Sequence, residues 1–400
     1  MFRRAFLKSV ALGSTGLYCT PSLGKDKGSS EKSVISIHLQ GGISAVDFIN
    51  PIPDAPVEFR SSRGAVDAGS CQIGGDFKQL AALGDKFDIV RSMRFKDANH
   101  QTATMAHMTS HFHVPNSSQK EPSFGSVVAR QYLPNNQNTG IPHYVKVRNI
   151  QGDDASWLGI RYAGYDADAE GVKNMKPNVV SDRFDNRLTM MRLIDGQSDL
   201  QQLGTSWSEL KEMAANIIQG QAAEAFDLTK EPESVYDKSR FGQDLLLARR
   251  LVERGTKYVS LTSNAGWDNH SAIDAAFARN APGLDTGLAT LIKDLDDRGL
   301  LQNTLIVVWS EFSRTKINAN AGRDHNPGTN TLLLAGGNSG GRVIGTTDKT
   351  GLVSQGDVFS PKDLAWTIGS HMDLDKKLTW KDMQARPRHI FSDDARNILL

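Results

Sequence analysis

The chain has 400 residues, with 46 lysines and arginines against 45 aspartates and glutamates, and 39% of its residues are hydrophobic. This length provides one large core or two smaller ones, and the composition excludes collagen-like, disordered and disulfide-scaffold classes. A formal net charge of +1 lacks the basic excess of most nucleic-acid-binding proteins, so we expect no nucleic-acid partner. No stretch approaches the roughly 20 apolar residues of a membrane-spanning helix, and we expect no membrane span.

Residues 1–24 have the features of an export signal. Arg3 and Arg4 precede a short apolar run at 10–12, and small and turn-forming residues follow. The arginine pair favours the twin-arginine route and predicts a periplasmic or secreted protein. The alternative interpretation is a basic amino-terminal helix of a cytosolic protein. Of the two cysteines only Cys71 lies beyond the signal, so the mature chain is expected to have no intrachain disulfide.

The chain beyond a polar linker at 25–32 alternates between strand and helix patterns. Strand patterns occur at 33–39, 87–90, 143–147, 258–261, 305–309 and 331–335. Helical spacing of apolar residues occurs at 77–83, near 127, at 241–252 and at 284–295. Strands that are continuously apolar are typical of a sheet buried on both faces. The order predicts a three-layer α/β/α sandwich with a mostly parallel central sheet.

The strand and helix pattern weakens between about 153 and 239. Segments 183–194 and 207–226 resemble amphipathic helices, and polar stretches separate them. We therefore expect one domain over 33–400 that carries a helical insertion at about 153–239.

Several catalytic signatures are absent from the sequence. It contains no G-x-S-x-G elbow, no P-loop, no C-x-x-C pair and no H-E-x-x-H. The sequence therefore lacks the motifs that usually identify serine esterases, nucleotide switches, thiol-redox proteins and zincins.

Carboxylates and imidazoles lie instead in three loops beside the predicted strands. In an open parallel sheet, ligands bind outside the carboxyl ends of the strands. Carboxylates and imidazoles together form a ligand set that suits Zn²⁺ or Mn²⁺ and can leave one coordination position of the ion open. An ion bound in this way would activate a water molecule or polarise an ester oxygen. The candidate residues are Asp268, His270, Glu311, Asp324 and His325.

A network of salt bridges would explain the same loops without a metal. In that alternative Arg314 and Arg323 pair with Glu311 and Asp324.

A further candidate is the histidine-rich stretch that begins at His100, which has four histidines in 14 residues. Such density is typical of metal binding. However, His107 and His111 are spaced to lie on the exposed face of a helix, and only His100 directly follows a predicted strand. His100 is therefore the candidate site residue of this stretch.

An ordered series of short motifs runs from about Val34 to about Gly369. In chain order the motifs are Gly41-Gly42-x-Ser44, Val90-Arg91-Ser92-Met93, Pro122-Ser123-x-Gly125-Ser126, Ala248-Arg249-Arg250-Leu251-Val252-Glu253-x-Gly255, Trp267-Asp268-x-His270, Asp294-Leu295-x-x-Arg298-Gly299-Leu300-Leu301, Glu311-Phe312-x-Arg314-Thr315 and Gly322-Arg323-Asp324-His325. This series resembles the domain-of-unknown-function family 1501, which belongs with sulfatases to the alkaline-phosphatase-like superfamily. The resemblance implies the superfamily's sandwich, a twin-arginine leader and a metal site. Asp268, His270 and His325 match its ligand positions, and Glu311 stands where the superfamily usually has an aspartate followed by a histidine.

The sequence also departs from the wider superfamily. The acid at the end of the first strand is replaced by Gln40, Phe312 takes the place of a histidine, and His100 or Gln101 falls near the expected nucleophile. These departures predict that one of two metals is retained and leave the nucleophile open. Thr102 or Thr104 would need a metal or a base beside it to become reactive.

Two functions follow as hypotheses. The first is an exported hydrolase of a small sulfate or phosphate ester that depends on a divalent metal, Zn or Mn first and Mg or Ca as alternatives. His100 would contribute to catalysis, and Arg314 or Arg323 would neutralise the anionic substrate. The second is a binding or assembly protein that keeps the fold without activity.

Overall fold

The computed structural model describes residues 32–111, 120–133, 141–167, 222–232, 235–263 and 265–400. In chain order the strands are β1 (Ser33–His38), β2 (Ala65–Ala68), β3 (Cys71–Gly74), β4 (Phe87–Val90), β5 (Tyr144–Lys146), β6 (Tyr165–Asp166), β7 (Tyr258–Thr262), β8 (Thr304–Trp309), β9 (Ser313–Ile317), β10 (Arg323–Asn326), β11 (Leu332–Ala335), β12 (Val343–Ile344), β13 (Thr346–Thr347), β14 (Ser354–Gln355), β15 (Thr379–Lys381) and β16 (Pro387–His389). The helices are α1 (Lys78–Ala81), α2 (His100–Thr109), α3 (Phe124–Tyr132), α4 (Ala222–Ala225), α5 (Arg240–Glu253), α6 (Ile273–Asp297) and α7 (Pro361–His371).

Eight strands form the central sheet of the described chain, in the order β12-β4-β11-β8-β1-β7-β5-β6. β1 lies in the middle, parallel to both β7 and β8. β5 and β6 continue the parallel pairing beyond β7, and β12 is parallel to β4. β11 alone runs antiparallel to its two neighbours in this sheet. The prediction of a mostly parallel sheet is confirmed.

The two faces of the sheet pack into two separate cores, as expected when successive side chains of a strand point to opposite faces. Ile35 and Ile37 of β1 pack in the core that contains α1, α5 and α6. Val34 of β1 packs in the core that contains α2, α3 and α7, together with Val307 and Trp309 of β8. Helices therefore cover both faces, which makes the architecture a three-layer α/β/α sandwich.

The helices predicted at 77–83, near 127, at 241–252 and at 284–295 form, with differences at their ends. The Ser239 hydroxyl accepts a hydrogen bond from the Gly242 amide at 3.0 Å and caps α5, which is followed by Gly255 at a φ of +102°. α6 begins before the apolar repeat at 284–295 and contains Pro282. Phe277 is buried in the same core as the repeat, so tertiary packing extends this helix across the proline.

The predicted insertion lies only partly within the described chain. At its start, β6 pairs with β5 and forms the edge of the sheet, and α4 falls in the predicted helix at 207–226. The predicted helix at 183–194, the export signal and all of the linker except Lys32 lie outside the described residues. None of the described helices has both the length and the apolar character needed to cross a membrane.

A buried cluster of charges joins α5 to α6 and to the segment at 222–232. The Arg249 guanidinium has no solvent exposure and lies 2.7 Å from Glu231, 2.6 Å from Glu253 and 3.0 Å from Asp294. Arg250 donates at 2.9 Å to the carbonyl oxygen of Ala225. Two consecutive arginines therefore fix this segment against the helical layer.

Candidate functional site

The carboxyl ends of β1, β7 and β8 meet at one edge of the sheet, where a cleft of about 510 Å³ opens. Ligand sites of open α/β sheets lie at this edge. The cleft is lined by His38, Gln40, Gly41, His100, Thr104, Asn149, Ile150, Gln151, Thr262, Ser263, Ala265, Gly266, Asp268 and Glu311. His100, Asp268 and Glu311 are therefore brought together, as the sequence predicts.

The glycine turn after β1 lets two other segments approach this edge of the sheet closely. Gly41 has a φ of +104°, and a Cβ there would lie 2.6 Å from the backbone nitrogen of Asp268. Only glycine fits a position that has both positive φ and such close backbone approach. The Gly41 amide donates to the Glu311 carboxylate at 2.9 Å. The turn thus brings the loop of Asp268 and the end of β8 against β1.

Three possible ligand atoms converge beside the cleft. Asp268 Oδ1 lies 3.0 Å from His270 Nε2 and 3.2 Å from His325 Nε2, and the two imidazole nitrogens are 3.0 Å apart. His325 Nδ1 donates to the carbonyl oxygen of Ala98 at 2.8 Å, so in the neutral ring the lone pair lies on Nε2. Asp324 lies 2.8 Å from His270 Nδ1 and orients that ring from outside. Asp324 thus stands behind His270 rather than among the converging atoms.

Arg314 binds the Asp268 carboxylate from the interior of the protein. Its buried guanidinium donates to Gly42 O at 2.7 Å, to Arg323 O at 3.1 Å and to Asp268 Oδ1 at 2.6 Å. Partial burial raises the pKa of Asp268, but the hydrogen bond and charge of Arg314 outweigh burial and lower that pKa to about 2. The carboxylate is therefore ionised at neutral pH. The partner of Arg314 is Asp268, so the predicted pairing with Glu311 is wrong.

Arg323 lies away from these atoms. Its fully buried guanidinium is 3.0 Å from the Asp47 carboxylate and donates to the carbonyl oxygens of Thr315 and Arg60 at 3.0 and 2.8 Å. The register of β10 shifts between Arg323 and His325, so simple alternation does not place their side chains together. The expected pairing of Arg323 with Asp324 is wrong, and the structure leaves no charge of Arg323 free for a substrate in the cleft.

Glu311 lies between two imidazoles. Its fully buried carboxylate is 2.6 Å from His100 Nδ1 and 2.9 Å from His38 Nε2. Burial raises the pKa of Glu311, but the nearby charge of His38 and the hydrogen bonds of both histidines outweigh it, and the pKa lies well below its usual range. The sequence analysis missed His38. The available signal was a histidine at the end of a largely apolar strand, three residues before Gly41.

The amino-terminal turn of α2 positions the remaining candidates. Asn99 caps this helix by accepting from the amides of Gln101 and Thr102. His100 Nε2 is buried, has no hydrogen-bond partner and lies 3.4 Å from Asp268 Oδ2. The Thr102 hydroxyl bonds Asp97, whereas Thr104 lines the cleft.

His107 is buried, and its expected place on an exposed helix face is wrong. Its ring stacks on Trp309 with centroids 5.3 Å apart, and its Nδ1 donates to the carbonyl oxygen of Ala103 at 2.8 Å. Asn330 Nδ2 donates to Nε2 at 2.8 Å. The helix packs this face on β8, a contact that spacing alone does not reveal. Burial lowers the pKa of His107 to about 4.

His107 is expected to make the protein less stable in acid. Unfolding returns its pKa to about 6.5. Below pH 6.5 the unfolded chain therefore binds a proton that the folded chain takes up only near pH 4. Between pH 7 and pH 5, metal-free native protein should lose about 2 kcal/mol more free energy of unfolding than His107→Gln in urea titrations. Equal losses in the two proteins would contradict this assignment.

Comparison of the sequence with protein-family profiles assigns the chain to a family. The profile of the family described as "Protein of unknown function (DUF1501)" matches residues 31–399. The chain belongs to DUF1501. This match covers the described site as well as the sheet. No curated protein sequence matches the DUF1501 chain.

Solved structures give more distant similarities. The PsFucS1 sulfatase from Pseudoalteromonas sp. is 13% identical with a TM-score of 0.42, over 87% of this chain and 68% of that one. The lipoteichoic acid synthase LtaP from Listeria monocytogenes is 11% identical with a TM-score of 0.41, over 92% and 76%. A TAB5 alkaline phosphatase mutant with bound Mg is 10% identical with a TM-score of 0.37, over 86% and 98%. No residue role follows from similarities of this size.

The converging atoms fit a divalent cation. His100, Asp268 and His325 each offer a ligand atom, and these atoms lie within 4.8 Å of one another. His270 Nε2 adds a fourth donor beside Asp268 and His325. Imidazole nitrogens with a carboxylate oxygen are a donor set that suits Zn²⁺, and Mn²⁺ accepts the same types. The buried, unpartnered His100 Nε2 is the further sign of a missing partner.

Proposed function

We propose that this DUF1501 protein is an exported, metal-dependent hydrolase of a sulfate or phosphate ester. The observation that carries the proposal is the convergence of Asp268, His270 and His325 ligand atoms, 3.0–3.2 Å apart, at the edge of the cleft. When both rings are neutral and their Nδ1 atoms carry the proton, the Nε2 lone pairs of His270 and His325 face each other and Asp268 Oδ1, which is unfavourable without a partner. A bound cation gives these lone pairs a common partner.

Asp268, His270 and His325 would hold the cation, which we expect to be Zn²⁺ or Mn²⁺. When bound, such a cation polarises an ester oxygen or lowers the pKa of a water molecule. Asp324 fixes the ring of His270, and the carbonyl of Ala98 fixes that of His325. Arg314 supplies a fixed positive charge beside Asp268, but its side chain is buried, so it would act on an anionic substrate through its charge and not by direct contact.

The cleft beside this group would take the alcohol part of the ester. Its lining has hydroxyl and amide side chains, including Thr104, Gln151 and Thr262, and lacks lysine, arginine and aromatic side chains other than histidine among the described residues. Hydroxyl and amide groups both donate and accept hydrogen bonds. Such a lining matches a polyhydroxylated alcohol better than a flat aryl group, so sugar esters are the appropriate first substrates.

Metal content and hydrolysis test the proposal together. Elemental mass spectrometry of protein purified from the periplasm should find close to one Zn or Mn per native chain and a large loss in a His270→Ala/His325→Ala double variant. The metal-loaded native protein should release sulfate or phosphate from galactose 6-sulfate or galactose 6-phosphate, and the double variant should not. Folding of the variant is checked by circular dichroism.

Two results separate the proposal from its alternative. A folded native protein that takes up no Zn²⁺, Mn²⁺, Mg²⁺ or Ca²⁺ would remove the metal-dependent function. Stoichiometric metal without release from either ester would favour a binding or assembly protein. Gln40, two residues after β1 and where the resembled superfamily has an acid, is the observation that favours this second function.

A further inference from the structure

Both carboxylate oxygens of Glu311 already have partners. Oε1 lies 2.6 Å from His100 Nδ1 and accepts from the Gly41 amide at 2.9 Å. Oε2 lies 2.9 Å from His38 Nε2 and 3.1 Å from the Ser310 hydroxyl. The side chain has no solvent exposure. A direct bond from Glu311 to a cation would therefore require the loss of one of these contacts.

The contact with Glu311 fixes the tautomer of His100. An ionised carboxylate only accepts hydrogen bonds, so the proton in this contact belongs to His100 Nδ1. The lone pair of a neutral His100 ring is then on Nε2, which is buried, without a hydrogen-bond partner and 3.4 Å from Asp268 Oδ2. Metal-binding histidines usually donate their other N–H to a carboxylate or carbonyl in this manner.

His38 stabilises the Glu311 carboxylate through the oxygen that His100 does not contact. Its ring stacks on Trp309 with centroids 4.3 Å apart and an interplanar angle of 21°. The stacking directs Nε2 at the second oxygen of Glu311. His38 and His100 therefore hold the carboxylate from opposite sides, and only His100 reaches Asp268.

The geometry points to a four-residue cation site in which His100 Nε2 joins Asp268, His270 and His325, while Glu311 and His38 are positioning residues. Glu311 then leaves the ligand set that the sequence predicts. This inference rests on the cation site of the proposed function. It specifies which residues touch the cation and which act through another side chain.

Zinc affinity distinguishes a ligand from a positioning residue. Zn²⁺ is titrated into metal-free native protein and variants against a chromophoric chelator. Glu311→Gln should keep one site per chain with an affinity roughly 10- to 100-fold lower, as expected for a group behind a ligand. His38→Gln should weaken binding less, and His100→Ala should weaken it more than Glu311→Gln. Glu224→Gln, an exposed glutamate on α4, is the matched control and should leave the affinity unchanged.

Nitrogen-15 NMR of histidine-labelled protein reports the tautomer of His100 directly. This tautomer should not change if Glu311 has only a structural role. The hydrogen bond with Glu311 raises the pKa of His100, so the spectra are recorded above that pKa, where the ring is neutral. Metal-free native protein should then show the His100 proton at Nδ1, and Glu311→Gln should shift that tautomer equilibrium with little change at His325. Addition of Zn²⁺ to native protein should shift His100 Nε2.

Each contrary outcome is distinct. Loss of stoichiometric zinc in Glu311→Gln, to the level of a His325→Ala variant, would make Glu311 a ligand and overturn the inference. An unshifted His100 Nε2 in zinc-loaded protein would overturn it too. If native protein binds no zinc, the proposed cation site itself fails, and with it this ligand set; the tautomer in metal-free protein then reports only on the contact with Glu311.

Discussion

Asp268→Asn is expected to remove metal binding and activity together. Asp268 Oδ1 lies within 3.2 Å of both His270 Nε2 and His325 Nε2. An amide oxygen is a far weaker ligand for Zn²⁺ than a carboxylate, and the amide keeps nearly the same volume. We expect metal content to fall from about one to below about 0.1 per chain, and ester hydrolysis to fall at least about 100-fold.

Asp324→Asn is the matched control for that variant. Asp324 contacts His270 Nδ1 at 2.8 Å and is exposed, so its loss affects the cation only through the orientation of one ring. This variant should retain most of its metal, as measured by elemental mass spectrometry after gel filtration. Equal metal in Asp268→Asn and native protein would exclude Asp268 as a ligand, and equal losses in the two variants would contradict the separate roles given to these acids.

The sheet could be predicted from the sequence because its central strands are dominated by apolar residues. β1 and β8 have every residue buried, which is the pattern of a strand covered on both faces. The antiparallel direction of β11 could not be read in the same way. Leu332–Ala335 is equally apolar, and its direction depends on the ribbon of β9 and β10 that precedes it. Strand character is local, whereas strand direction depends on the path of the connection.

The location of the site could also be predicted, but the contacts within it could not. The rule for parallel sheets places Asp268, Glu311 and His325 at one edge, and the structure does so. The partners of Arg314 and Arg323 depend on backbone carbonyls and on a register shift in β10, and neither feature has a sequence signature. His38 stayed hidden because a histidine within an apolar strand resembles an ordinary core residue.

Arg249→Met is expected to destabilise the protein strongly although it lies outside the site. The variant keeps much of the side-chain volume but leaves Glu231 and Asp294, both largely buried, without their central cation. Breaking a buried ion pair by removing one partner costs roughly 3–5 kcal/mol, and the lower end applies here because Arg298 still reaches Asp294 at 2.7 Å and Arg250 still pairs with Glu231. Urea unfolding followed by fluorescence and circular dichroism should show this loss.

The neighbouring variant Arg254→Met is the control for burial. It also removes an arginine from an ion pair, but at an exposed position. Arg254 bonds Glu224 at 3.1 Å, but both side chains are substantially exposed, so its loss should cost less than about 1 kcal/mol. Arg249→Met should also be cleaved faster by protease within 222–232, because Glu231 no longer ties this segment to Arg249. Similar stability of the two variants would mean that the cluster contributes no more than a surface pair. A large difference would show that this arginine of α5 anchors the segment to the helical layer.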